Sequence, residues 1–123
     1  MTVKEKRKNI RIPFTVEASI NYHDRVIEGE VLNISLQGML IEINNEIPLN
    51  EELAVKMLLS GYKTGKSLEL HGHVVRSDNS GTAIRLIKLN MESLIDLRNI
   101  LLDHNADADK IMNEFYDFVN QRV

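Results

Sequence analysis

The chain has 123 residues, 43% of them hydrophobic, no cysteine and a formal net charge of −3. That is one domain able to bury a sizeable core, too apolar to be disordered and without the basic balance of a general nucleic-acid binder. The missing cysteines exclude disulfides, thiolate metal sites and thiol nucleophiles, and they fit a reducing compartment such as a cytoplasm. No apolar run approaches the roughly 18 residues of a membrane span, and the charged N-terminus lacks the apolar segment of a signal peptide.

The charge is unevenly placed. Residues 1–11 hold five basic side chains (Lys4, Lys6, Arg7, Lys8, Arg11) against Glu5, whereas residues 92–123 hold three basic and seven acidic ones. Pro13 biases Ile12 toward extended geometry, so residues 1–12 are expected to be a flexible basic arm leading into a strand. By charge alone such an arm is a solubility tail or a grip for a small anion.

From Pro13 to Leu89 the hydrophobic period is two. Val16, Ala18, Ile20 and Tyr22 alternate with polar or small residues, and His23-Asp24 is a plausible turn. Ile27, Gly29 and Val31 form a second run, and Met39, Ile41 and Ile43 a third, ended by Asn44-Asn45 and Pro48. Leu53, Val55, Met57 and Leu59 make a fourth, and a polar loop follows. Leu68, Leu70, Gly72 and Val74 make a fifth. Asp78-Asn79-Ser80-Gly81 is a hairpin signal leading to Ile84 and Leu86. Six one-face-buried strands joined by short turns predict a mainly β fold, an antiparallel barrel or sandwich.

After Leu89 the period becomes helical. Asn90 can cap a first helix over 90–104, with a stripe of Met91, Leu94, Ile95, Arg98, Leu101 and Leu102. Asp107 can cap an additional helix over 106–121, whose apolar face is Ile111, Met112, Phe115, Tyr116 and Val119. That face is expected against the barrel, with a homodimer through the helix as the second outcome. The whole chain is read as one domain, with its barrel over 13–89.

Catalysis finds little support. No serine sits in a Gly-x-Ser-x-Gly elbow. Gly61-Tyr62-Lys63-Thr64-Gly65-Lys66-Ser67 echoes a phosphate loop, but its first glycine is one residue too close and no helix is expected after it. His71 and His73 share a strand face, predicted to be solvent, and a metal would need a third ligand. Strands without an aromatic platform do not suit an RNA-binding barrel.

The informative stretch is Asn33-Ile34-Ser35-Leu36-Gln37-Gly38. In itself it reads as a turn, with Asn and Ser bonding nearby backbone and Gly supplying conformational freedom. Taken with Arg7-x-x-x-Arg11 upstream, Asn33-x-Ser35-x-x-Gly38 resembles the two-part signature of PilZ domains, bacterial receptors for the second messenger cyclic di-GMP. Gly81-Thr82-Ala83-Ile84-Arg85-Leu86 is similar to the family's last strand, and the resemblance covers about residues 4–103, leaving the final helix outside the minimal pattern.

The resemblance implies a six-stranded antiparallel β-barrel with C-terminal helices, acting in the bacterial cytoplasm as a receptor rather than an enzyme, without cofactor or metal. Arg7 and Arg11 should clamp guanine and phosphate, Asn33 and Ser35 meet a guanine edge, and Gly38 allow close backbone approach. Lys6, before the first arginine, points to an intercalated dimer of the ligand, and Arg76 and Arg85 are lesser contacts. The arm would order on binding and relay the signal to an unknown downstream protein. A module of the same fold that serves motility or secretion machinery without binding nucleotide is the alternative.

Overall fold

The computed structural model describes residues 11–59, 67–88, 90–104 and 107–122. Six strands, β1 (Ile12–Tyr22), β2 (Arg25–Ile34), β3 (Gly38–Ile43), β4 (Glu52–Leu58), β5 (Ser67–Asp78) and β6 (Gly81–Lys88), precede two helices, α1 (Met91–Asp103) and α2 (Ala108–Arg122). The strands close into an antiparallel barrel in the order β1-β2-β3-β6-β5-β4. The alternation therefore resolves to a barrel and not a sandwich. β1 pairs with both β2 and β4, so it is the strand that closes the ring. A closed ring leaves no free edge for unwanted strand pairing.

The registers define two ends. Ile12 opposite Ile34, and Gly38 opposite Arg85, put the start of β1, the β2–β3 turn and the end of β6 at one end. Tyr22 opposite Arg25, and Asp78 opposite Gly81, put the β1–β2 and β5–β6 turns at the other. The β3–β4 connection crosses this second end, and Ile47 within it is buried. Inside the ring lie Ile20, Val31, Ile41, Val55, Met57, Leu70, Val74, Ile84 and Leu86, with each large aliphatic side chain contributing about 1.5–3 kcal/mol by leaving water. The strand beginning at Ser67 also disposes of the phosphate-loop echo, since a P-loop must feed a helix.

β2 breaks its own alternation. Ile27 and Val31 are buried at odd positions, whereas Ile34 is buried at an even one. The pairing shifts register between Val31 and Asn33, the mark of a bulge. Without that shift Asn33 would share the inward phase of Val31. With it, Asn33 faces outward between Pro13 and Leu40, its partners on β1 and β3.

Both helices start where their caps predict. The Asn90 side-chain oxygen accepts from the Ser93 amide at 2.7 Å, and Asp107 Oδ1 accepts from the Lys110 amide at 3.2 Å. The buried faces are rotated from the sequence stripes. α1 buries Leu94, Leu97, Ile100 and Leu101 while Met91 is exposed, and α2 buries Ile111, Phe115 and Phe118 while Tyr116 is exposed. The reason is that α2 packs chiefly on α1 rather than on the barrel. Arg98, the charged member of the α1 stripe, is half-buried with its guanidinium over the Phe115 ring, 4.9 Å from the centroid. The apolar face of α2 is thus used within the chain. His104, at the end of α1, sets its ring edge against Phe14 with centroids 5.3 Å apart, tying the helices to the start of β1.

Candidate functional site

The β2–β3 turn is built on Ser35. Its amide donates to the Gly38 carbonyl at 2.8 Å. Its hydroxyl oxygen accepts from the Gln37 and Gly38 amides at 3.3 and 3.2 Å and donates to the Gly38 carbonyl at 3.3 Å. Leu36, fully buried, pins the turn into the end of the barrel. The Leu86 amide donates to the Gln37 carbonyl at 2.7 Å, which stitches the turn to β6. Gly38 is required by close approach: a Cβ there would run into the carbonyl of Ile84. The polar residues of this stretch therefore do what a turn asks of them, with one exception.

The exception is Asn33. Its Oδ1 is buried and has no hydrogen-bond partner. A buried acceptor left unpaired costs about 1–3 kcal/mol, so native proteins hold few. Asn33 stands beside Pro13, and Arg11 precedes β1 by one residue, so the register brings Arg11 to the Ser35 turn. From the other side, Arg85 faces outward directly opposite Gly38. The structure thus gathers Arg11, Asn33, Ser35, Gly38 and Arg85 at one end of the barrel. Ser35 lies 5% exposed with its hydroxyl committed to the turn, so it shapes this place more than it presents itself.

Arg76 is placed differently. It faces Ala83 on β6, three strands round from Asn33, and its Nε lies 3.1 Å from Asp78 Oδ2. It lines a shallow groove with Ile47, Pro48, Leu49 and Val75. Asp78 also accepts from the Ser80 hydroxyl at 2.6 Å and the Ser80 amide at 2.9 Å. These bonds, the hydroxyl first, hold the Asp78 carboxyl below its ordinary range, with Arg76 adding to the effect. Lys6 and Arg7 lie outside the described residues.

At the same far end, Glu51 Oε1 accepts from the Tyr22 hydroxyl at 3.1 Å and lies 3.1 Å from His23 Nε2. Hydrogen bonding to His23, then to Tyr22, lowers the Glu51 carboxyl. Burial, then the bond to Glu51, raises the Tyr22 phenol. This cluster fastens the β1–β2 turn to the crossover, with His23 itself at positive φ.

The outer wall carries an asymmetry that the sequence reading missed. Glu17, Glu30 and Glu42 stand directly opposite one another across β1, β2 and β3. Like charges so placed oppose folding. On the other side of Gly38, the wall carries Arg85 on β6 and His73 and His71 on β5. No group of three or more metal-ligating side chains occurs among the described residues. The glutamate row was in principle readable once the register was known, because register alone aligns residues 17, 30 and 42.

A family model described as "PilZ domain" matches residues 5–103. No curated protein sequence matches. Among solved structures, the chain is similar to the Bacillus subtilis inhibitor of motility MotI/DgrA, with a TM-score of 0.68 at 15% identity over 81% of this chain and 51% of that one. The present chain thus spans about half the length of that protein. It is also similar to the PilZ domain of CeSA from a cellulose-synthesizing bacterium, with a TM-score of 0.60 at 15% identity over 76% of this chain and 96% of that one.

Proposed function

The chain belongs to the PilZ domain family, and from that membership we propose that it is a cytoplasmic bacterial receptor for cyclic di-GMP rather than an enzyme. The observation that carries the reading is the buried, unpartnered Asn33 Oδ1 beside Arg11 and the Ser35 turn. Guanine offers N–H donors along its Watson–Crick edge, and an orphan amide oxygen is the acceptor such an edge needs. Arginine supplies what the rest of the ligand needs. Its planar fork bonds guanine O6 and N7, its flat cation stacks on a base, and it pairs with phosphate through charge-assisted bonds. In this reading Arg7 and Arg11 clamp the ligand and Asn33 meets a guanine edge. Ser35 and Gly38 hold the turn in shape, and Lys6 favours an intercalated pair of nucleotides.

In this reading the basic segment up to Arg11 is the arm that changes conformation on binding, one residue shorter than expected because Ile12 is buried as the first residue of β1. The ligand distinguishes the two arm states because the arginine contacts exist in only one of them. The surface so formed is read by a downstream protein. Isothermal titration with cyclic di-GMP, alongside melting with and without ligand, tests the receptor. Heat of binding and a raised melting temperature, both lost in Arg11→Ala, are expected. Neither signal at excess ligand would overturn the reading and favour the interaction module that binds no nucleotide. That alternative draws on the likeness to a protein named for inhibiting motility. Both functions live on one fold, which by itself does not choose between them.

A further inference from the structure

Nothing so far fixes which way an anionic ligand extends from Asn33. Asn33 lies between two unlike stretches of the outer wall. Three residues along β2 from it stands the row Glu17–Glu30–Glu42, three carboxylates in register. On its turn side, two residues along β3 from its own partner Leu40, runs the row Gly38, Arg85, His73. Gly38 presents no side chain, so the surface beside Arg85 is bare. Neighbouring strands are about 4.8 Å apart, so Gly38 and His73 stand about 10 Å apart across β6, a gap a two-nucleotide ring can bridge. His73 is half-buried where His71, two residues earlier on the same face, is exposed.

We propose that His73, with Arg85, forms the second wall of the ligand site. The ring would then lie across β3 and β6 toward β5, turned away from the glutamate row. The inference rests on the cyclic di-GMP reading and assigns it a further contact residue. The two phosphates make the choice of direction, repelled by three carboxylates on one side and attracted by a guanidinium on the other. His73 is then within reach of a phosphate or of the Hoogsteen edge of a guanine. An imidazole ordinarily changes charge between pH 5 and 8, so the contact strengthens as the ring takes up a proton. The other charged groups near His73 are Glu52, its register partner on β4, Arg85 on β6, and His71 and Arg76 on its own strand. Glu51, whose carbonyl accepts from the Val74 amide, directs its carboxylate to Tyr22 and His23 instead. The buried face of α1, the helix packed against β5, is uncharged (Ser93, Leu94, Leu97, Ile100 and Leu101).

The test is titration of the full chain with cyclic di-GMP at pH 6 and pH 8, for the parent, His73→Gln and His71→Gln. The parent should bind about threefold to tenfold tighter at pH 6. His73→Gln should abolish that difference, binding at both pH values no tighter than the parent does at pH 8, and should keep the parent's melting temperature. His71→Gln should keep the difference. A His73→Gln protein that retains the parent's pH dependence overturns the proposal, as does a parent with equal affinity at both pH values. No binding at either pH strikes instead at the receptor reading, so the two failures are distinguishable.

Discussion

The β5–β6 and β2–β3 turns lie at opposite ends of the barrel, and the two use their polar groups differently. At the β5–β6 turn, Asp78 accepts from the Ser80 amide and hydroxyl through one oxygen and meets Arg76 through the other. That network closes on itself. At the β2–β3 turn, Ser35 is absorbed just as fully, but Asn33 beside it keeps a buried oxygen with no partner. Folding accounts for the first arrangement and not for the second. The difference supports the proposed ligand position, at the end whose hydrogen bonding is incomplete. Arg76 belongs by the same test to the finished turn, and Arg11 to the unfinished one.

The contrast can be broken most sharply at the arginines. Arg7→Lys and Arg11→Lys should each weaken cyclic di-GMP binding by about tenfold to a hundredfold, because an ammonium lacks the planar fork worth roughly 1–3 kcal/mol at guanine. Arg76→Lys, at the other turn, should bind as the parent does. Calorimetry on the three proteins decides it, and lysine variants at 7 and 11 that bind normally would reduce the arm to a patch of charge.

Next in size is the split between Asn33, on β2, and Ser35, in the turn that follows it. Ser35→Ala leaves the Gln37 and Gly38 amides without their acceptor and should lower stability by about 1–3 kcal/mol in urea unfolding. Asn33→Ala removes an unsatisfied acceptor, so it should unfold at the same urea concentration or a higher one while binding about tenfold more weakly. If Asn33→Ala destabilises the free protein as Ser35→Ala does, Asn33 is a turn residue like its neighbour.

The smallest effect belongs to the finished turn. The Asp78 carboxyl is lowered in the folded protein. Its contribution is therefore present above the ordinary carboxylate range, about pH 3.9, and is lost as pH falls through the folded value. Asp78→Asn should slightly lower the melting temperature at pH 7, flatten its decline at acid pH and leave ligand binding unchanged.

Much of this was legible in the chain. Period-two runs such as Leu68–Val74 and Leu53–Leu59 state which face is buried, and Asn90 and Asp107 announce their helices because caps act locally. What the sequence could not state is which strands are neighbours. Strand order decides whether Glu17, Glu30 and Glu42 form a row and whether His73 stands beside Arg85. The outward placement of Asn33 depends on a bulge that no alternation predicts, since strict alternation would send it inward with Val31. The helix faces were misjudged at Met91 and Tyr116 because α2 found its partner in α1, and a stripe shows how wide an apolar face is but not where it meets its neighbour.

The strand order also sets a timetable. β1, β2, β4 and β5 each pair with their immediate successors in sequence, whereas β3–β6 and β1–β4 each close a long stretch of chain. Local pairings form before distant ones because loop closure costs entropy first. A chain emerging from the ribosome can therefore assemble the sheet that carries Asn33 while both of its edges are still open. Open edges invite pairing with other chains, and rows of charge are a recognised defence. Glu17, Glu30 and Glu42 lie across that early sheet, so the row that opposes the finished fold would keep its precursor apart from its copies until β4 and β6 arrive.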